Sequence, residues 1–200
     1  MVSSNIKSLW TCVSGLGALI GTSIGMRVFP GAAFAANPTG EFGWHLVGFA
    51  LSVGFFFAIL QWIILRLSIE SQGTTKESWT VLWLPVSTLG IAATMLPLWW
   101  IPADVLLVQP FIVVISMLPG GFALGLGQRF ILSRFTKVKF GWLVPTSLGV
   151  ALGGFVGLII AVWTPFPVEH TWALLFGVSV GAFQSRSLAR FLESMADQRG

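Results

Sequence analysis

The chain has 200 residues, of which 55% are hydrophobic and only 9% are charged, with a formal net charge of +4. A soluble domain carries about 25% charged residues, so this composition excludes an ordinary soluble globular protein. The basic residues lie beside long apolar stretches, where they indicate membrane topology and not a nucleic-acid partner. We therefore expect an all-α, polytopic helical membrane protein.

Six apolar stretches follow one another along the chain. Each has about 20 residues, enough to cross about 30 Å of hydrocarbon as a helix. The predicted spans are, in chain order, Leu9–Val28, Phe42–Leu65, Trp79–Ile101, Leu106–Leu132, Phe140–Trp163 and Thr171–Leu192. The first stretch also has the outline of a signal peptide, with Lys7 before it and Ala33-Phe34-Ala35 after it. We expect it to be retained, because it is longer than a signal core and matches two later helices.

The odd-numbered spans share the frame W-x3-[ST]-x-L-G-x3-[GT]. It is carried by Trp10, Ser14 and Gly17 in the first span, by Trp83, Ser87 and Gly90 in the third, and by Trp142, Thr146 and Gly149 in the fifth. Each of these spans precedes one even-numbered span. The alternation is typical of αα-hairpins repeated along a chain.

The even-numbered spans share the frame G-x3-[AG]-x2-Q-x3-L, followed by arginine. It is carried by Gly54, Gln61 and Arg66, by Gly121, Gln128 and Arg134, and by Gly177, Gln184 and Arg190. The two frames predict three αα-hairpins within one membrane domain over residues 1–200: repeat 1 at about 8–70, repeat 2 at about 78–137 and repeat 3 at about 138–195. These hairpins either close around a pseudo-threefold axis or lie in a row.

Each glutamine shares a helix face with small residues three and seven positions before it. Such faces allow close helix crossings in a membrane, where an unpaired amide is costly. We expect each glutamine to bond across the bundle, to Ser14, Ser87, Thr146 or a backbone carbonyl. The arginines are expected to extend to the lipid phosphates. The candidate polar ring therefore consists of Gln61, Gln128, Gln184, Arg66, Arg134 and Arg190.

The basic residues predict the orientation of the chain. Of the eleven lysines and arginines, all except Arg27 fall on one side of the predicted spans. The positive-inside rule makes that side cytoplasmic, with both termini inside. The lipid bilayer, with anionic lipids at the cytoplasmic face, is the expected partner.

The tryptophans divide between the two predicted membrane boundaries. Trp10, Trp62, Trp79, Trp83 and Trp142 lie toward the inside, and Trp44, Trp99, Trp100, Trp163 and Trp172 lie toward the outside. We expect two interfacial aromatic belts.

Catalytic and metal-binding patterns are absent from the sequence. The spans lack central ionisable residues, and no nucleophile or zinc motif is present, so we expect neither an enzyme nor a metal site. His45 and His170, at the outer starts of their helices, are the candidate ligands for a pigment or haem. Chlorophyll or a carotenoid is the cofactor class considered.

The sequence that joins the first predicted hairpin to the second resembles that of a known group of proteins. QWIILR (Gln61 to Arg66), followed by W-x3-S-x-L-G (Trp83 to Gly90), is similar to the repeats of uncharacterised multi-span membrane proteins of cyanobacteria and other bacteria such as Chloroflexi. The later copies replace the tryptophan by Arg129 and Ser185. The resemblance implies a bacterial inner or thylakoid membrane. It carries no assigned activity, so no catalytic residue is transferred.

Two functions are compatible with these patterns. The first is a non-enzymatic structural or accessory subunit that packs against other membrane proteins or pigments. The alternative is a passive or facilitative transporter or channel for a small polar or anionic solute, with the glutamines around its inner mouth and the arginines beneath them.

Overall fold

A computed structural model describes residues 2–29, 44–72, 77–97, 101, 109, 111–135, 141–164 and 166–197. All regular structure within these ranges is helical, which confirms the all-α prediction. The helices are α1 (Val2–Val28), α2 (Trp44–Glu70), a 3₁₀ helix (Glu77–Leu82), α3 (Trp83–Met95), α4 (Phe111–Leu132), α5 (Leu143–Trp163) and α6 (Val168–Asp197). The predicted span starts Phe42, Leu106 and Phe140, and residues Trp99 and Trp100, lie outside the described residues.

Four helices are long and apolar enough to cross a membrane: Asn5–Val28 within α1, and all of α2, α4 and α5. This confirms the membrane character predicted from composition. The remaining two differ from the prediction in different ways. The third apolar helix, Trp79–Met95, is shorter. The sixth, α6, has 30 residues, but its second half carries Gln184, Arg186 and Arg190 and is therefore more polar. Six crossing helices remain a prediction.

The six α-helices pack in chain order and close on themselves. Each α-helix contacts the next one along the chain, and α6 packs extensively against α1. Contacts across the middle of this ring are few, as the small interface between α2 and α6 shows. The even-numbered helices end, and the odd-numbered helices begin, at one end of the ring, which we call the basic end because Arg66, Arg134 and Arg190 lie there.

Glycines allow neighbouring helices to approach backbone to backbone. A Cβ atom added to Gly54 of α2 would lie closer than 3.0 Å to the carbonyl oxygen of Thr88 in α3. One added to Gly177 of α6 would come equally close to the carbonyl oxygen of Ser14 in α1. Backbone atoms cannot rotate away as side chains do, so a larger residue at either position would force the two helices apart.

Two apolar clusters fill the ring. The larger includes Phe57, Leu124 and Val180, each four residues before a glutamine of the even-numbered helices. The smaller, toward the basic end, includes the residues four positions after the same glutamines, Leu65, Leu132 and Leu188. The glutamines therefore lie on a buried face between two apolar layers, away from both ends of the ring.

Candidate functional site

The three glutamines of the repeated frame meet inside the helix ring. Gln61, Gln128 and Gln184 come from α2, α4 and α6, and each side chain is 0% exposed. The Nε2 amide of Gln61 donates to Oε1 of Gln184 at 3.2 Å. The Nε2 amide of Gln184 donates in turn to Oε1 of Gln128 at 2.8 Å. Three helices distant in sequence are thus joined by direct side-chain hydrogen bonds.

Each glutamine also bonds a hydroxyl of the helix that precedes its own. Gln61 donates to Ser14 Oγ at 2.8 Å, Gln128 to Ser87 Oγ at 2.8 Å and Gln184 to Thr146 Oγ1 at 3.0 Å. The bonds predicted from the two frames are therefore confirmed. Two of the acceptors are themselves oriented, because the hydroxyls of Ser14 and Thr146 donate to the backbone carbonyls of Trp10 and Trp142.

Three tryptophans pack against the glutamines. Trp10, Trp83 and Trp142 are completely buried, and their ring centroids lie 5.8, 5.8 and 6.3 Å apart in edge-to-face contacts. Edge-to-face packing is the favourable arrangement for aromatic rings. The prediction that these three residues belong to an interfacial belt is wrong, because they form a plug in the protein interior. The frame contained the signal: each tryptophan lies four residues before the hydroxyl that bonds a glutamine, and therefore on the same helix face.

Two indoles donate to glutamine oxygens. Trp142 Nε1 donates to Gln128 Oε1 at 2.9 Å, and Trp10 Nε1 donates to Gln184 Oε1 at 3.3 Å. These two oxygens therefore accept one amide and one indole each. The same pattern would pair the Trp83 indole with Gln61 Oε1, yet neither of these buried atoms has a hydrogen-bond partner among the residues that the structure describes. The network is complete at two of its three positions.

The network contains amide, hydroxyl and indole groups, none of which changes charge near neutral pH. It offers neither a general acid nor a general base of useful pKa. Its position between two apolar clusters keeps water from the glutamines, since every member is buried. The arrangement is suited to hold helices together.

The arginines of the predicted polar ring lie apart from the glutamines. Arg66, Arg134 and Arg190 are exposed on the outer surface of the basic end. Arg66 pairs with Glu70. Its guanidinium also lies 5.5 Å from the ring centre of Trp62. The Arg134 guanidinium lies 4.9 Å from the ring centre of Trp79, within cation–π range.

The two histidines considered as pigment ligands lie at the opposite end of the ring. His45 is exposed near the start of α2. His170 is half-buried near the start of α6, beside an open apolar groove of about 500 Å³. Among the described residues, no three histidine, cysteine or acidic side chains are grouped so that they could hold a metal ion. Pigment ligation by these histidines remains a prediction.

Comparison of the chain with protein-family models, with curated proteins and with solved structures yields no match. The resemblance noted from the repeated frame therefore remains a prediction.

Proposed function

We propose that this protein is a non-enzymatic structural or accessory subunit of a bacterial inner or thylakoid membrane, built from three αα-hairpins around a pseudo-threefold axis. Its role is to present a rigid ring of helices to other membrane helices or pigments, with both termini in the cytoplasm. The observation that carries this proposal is the centre of the ring. There, three glutamines and three tryptophans are all completely buried and interlock.

Equivalent contacts within each hairpin support the threefold arrangement. The glycine of each odd-numbered helix faces the residue four positions before the glutamine of its partner helix. A Cβ atom on these glycines would lie 2.7 to 3.1 Å from a backbone Cα atom, for the pairs Gly17–Phe57, Gly90–Leu124 and Gly149–Val180. The same residue positions therefore meet in all three proposed hairpins.

Contacts between hairpins repeat as well. The first glycine of each even-numbered frame approaches the next odd-numbered helix at or beside its frame hydroxyl. These pairs are Gly54 with Thr88, Gly121 with Ser147, and Gly177 with Ser14. The last pair joins the third hairpin to the first. This favours a closed ring over three hairpins in a row.

One contact between the two helices of each hairpin stays closely packed, although its residues differ from one hairpin to the next. In the first and third hairpins, Gly21 and Gly153 of the odd-numbered helices face bulkier residues, Val53 and Phe176, of the even-numbered helices. In the second hairpin the bulkier Thr94 lies on the odd-numbered helix and faces Gly120. The small residue has changed helix, and each contact still contains one glycine, as a repeated architecture requires.

The sealed centre favours a structural role over transport. A carrier or channel would need water or solute to reach the glutamines, whereas apolar residues cover them on one side and the tryptophan plug lies on the other. The outer surface carries exposed apolar side chains suited to lipid or partner helices. These include the frame leucines Leu16, Leu89 and Leu148.

A flux assay separates the two functions. The purified chain is reconstituted in liposomes, and the efflux of chloride, phosphate and glycerol is compared with that of protein-free liposomes. We expect no added efflux from the wild-type chain. In the plug variant Trp10→Ala/Trp83→Ala/Trp142→Ala, added efflux would show that the assay detects an opened centre. Substantial wild-type efflux that Gln61→Leu/Gln128→Leu/Gln184→Leu abolishes, with the helical circular dichroism intact, would contradict the structural proposal.

A further inference from the structure

An open groove of about 560 Å³ runs between α5 and α6 at the basic end. Apolar side chains form one part of its lining, among them Val144, Leu148 and Phe183. Arg186 and Arg190 form another part. The groove therefore places two positive charges next to an apolar surface near the start of α5, a helix long and apolar enough to cross a membrane, where the polar headgroups of a bilayer would lie.

The two arginines of the groove differ from those elsewhere at the basic end. Arg186 and Arg190 are four residues apart on α6, so they project from the same helix face. Neither forms an ion pair with a residue that the structure describes. By contrast, Arg66 is paired with Glu70, and Arg134 packs over the rings of Trp79 and Phe130. Like charges this close are mutually unfavourable on a helix, and an anion between them would relieve that repulsion.

The inner wall of the groove is held in place by a bond between its two helices. The Ser187 hydroxyl of α6 donates to the backbone carbonyl of Gly141, just before α5 begins. Because Ser187 follows Arg186 directly, this bond fixes the distance between the arginine-bearing face and the start of α5. The groove is thus formed before any ligand binds.

We propose that this groove binds one anionic phospholipid. The phosphate lies between Arg186 and Arg190, and an acyl chain extends along Leu148 and Phe183. Guanidinium groups bind phosphate through paired hydrogen bonds, which suits them to this headgroup. The apolar lining favours a lipid over a soluble anion, because Val144, Leu148 and Phe183 are exposed and a free phosphate would leave them in water.

Native mass spectrometry of the full chain in neutral detergent tests the site. Phosphatidylglycerol and phosphatidylcholine of equal chain length are titrated separately, and the dissociation constant of the first bound lipid is measured. We expect phosphatidylglycerol to bind more tightly than phosphatidylcholine. For Arg186→Gln/Arg190→Gln, we expect phosphatidylglycerol affinity to fall about 30-fold. Arg186→Lys/Arg190→Lys should retain part of the affinity, since it keeps the charge but not the planar fork.

The matched control removes two arginines from the same end of the ring but outside the groove. Arg66→Gln/Arg134→Gln should leave the affinity for the first phosphatidylglycerol largely unchanged. An equal loss in both double variants would overturn the proposal, because it would indicate attraction to net charge alone. Displacement of the lipid by an equimolar concentration of inorganic phosphate would also overturn it, because the groove would then bind a soluble anion. The result is independent of whether the centre of the ring conducts solutes.

Discussion

The three buried glutamines occupy the same position in the same frame, yet their oxygens have different surroundings. Oε1 of Gln128 and of Gln184 each accepts two hydrogen bonds, whereas Oε1 of Gln61 accepts none from the described part of the chain. The indole that would reach it, Trp83, is also unpaired. Residue identity and spacing therefore set which groups meet, and the relative placement of two helices decides whether they bond.

Trp10 and Trp83 occupy different positions in their helices. Trp10 lies well inside α1, whereas Trp83 is the first residue of α3 and follows directly on the 3₁₀ helix Glu77–Leu82. A 3₁₀ helix rises about 2.0 Å per residue instead of about 1.5 Å. It therefore changes the position along the helix axis at which the following side chain lies. Within the described residues, the unfilled position of the network coincides with a tryptophan that directly follows such a segment.

The largest expected effect is at the most connected glutamine. Gln184→Leu removes two donated and two accepted bonds and leaves the Trp10 indole unpaired, so we expect the free energy of unfolding to fall by about 3 kcal/mol. Gln61→Leu removes two donated bonds but no accepted one, and we expect a loss of about half that size. Unfolding by sodium dodecyl sulfate in mixed micelles, followed by circular dichroism, measures both. Equal losses would mean that the Gln61 oxygen is bonded in the membrane.

A second pair of variants acts on the helix crossings that carry the complete and the incomplete positions. Gly177→Ala drives α6 away from α1, the crossing that carries the bond from Trp10 to Gln184. Gly54→Ala makes a matching clash between α2 and α3, where the Trp83 indole and Gln61 oxygen are unpaired. Each overpacking change costs about 1–3 kcal/mol, and we expect Gly177→Ala to cost about 1 kcal/mol more.

The same unfolding measurement, with Gly141→Ala as control, checks this difference. Apart from Gly141 and its chain neighbours, no heavy atom of the described residues lies within 4 Å of a Cβ added there. A larger loss for Gly54→Ala than for Gly177→Ala would contradict the idea that the bonds at the crossing matter.

The smallest expected effect comes from the indole groups themselves. Trp142→Phe removes a donor from Gln128 Oε1 and should cost about 1 kcal/mol more than Trp83→Phe, because the Trp83 indole has no acceptor to lose. Both changes remove the same volume from the same aromatic plug, so packing losses largely cancel in the comparison. Thermal unfolding monitored by tryptophan fluorescence gives the two values. A cost for Trp83→Phe that matches Trp142→Phe would show that the third position of the network closes as well.

The sequence was most informative within each αα pair. The bond from each glutamine to a serine or threonine could be predicted, because both partners recur in adjacent frames and each lies on a small-residue face. The meeting of Gln61, Gln128 and Gln184 was only one of two predicted alternatives, because the frames do not say whether the helices close into a ring or lie in a row.

The buried tryptophans were missed for a different reason. Their positions near the predicted membrane boundary favoured an interfacial belt, a common location for tryptophan. Their spacing of four residues from Ser14, Ser87 and Thr146 pointed to the interior and was the better guide. The unpaired Gln61 oxygen had no signal in the sequence, since the tryptophan and glutamine that could bond recur at equivalent positions in all three pairs of helices.

The contact between Thr94 and Gly120 has a consequence for assembly. If the chain folds as the three proposed hairpins, wrong pairs can also form, with a helix of one hairpin taking the place of its counterpart in another. An α3 helix carrying Thr94 fits the glycine of α4 but would collide with Val53 of α2 or Phe176 of α6 if it took the place of their partners. The exchange of one small residue across a single contact thus distinguishes the middle pair of helices from the other two, and we expect it to disfavour mispaired rings during assembly.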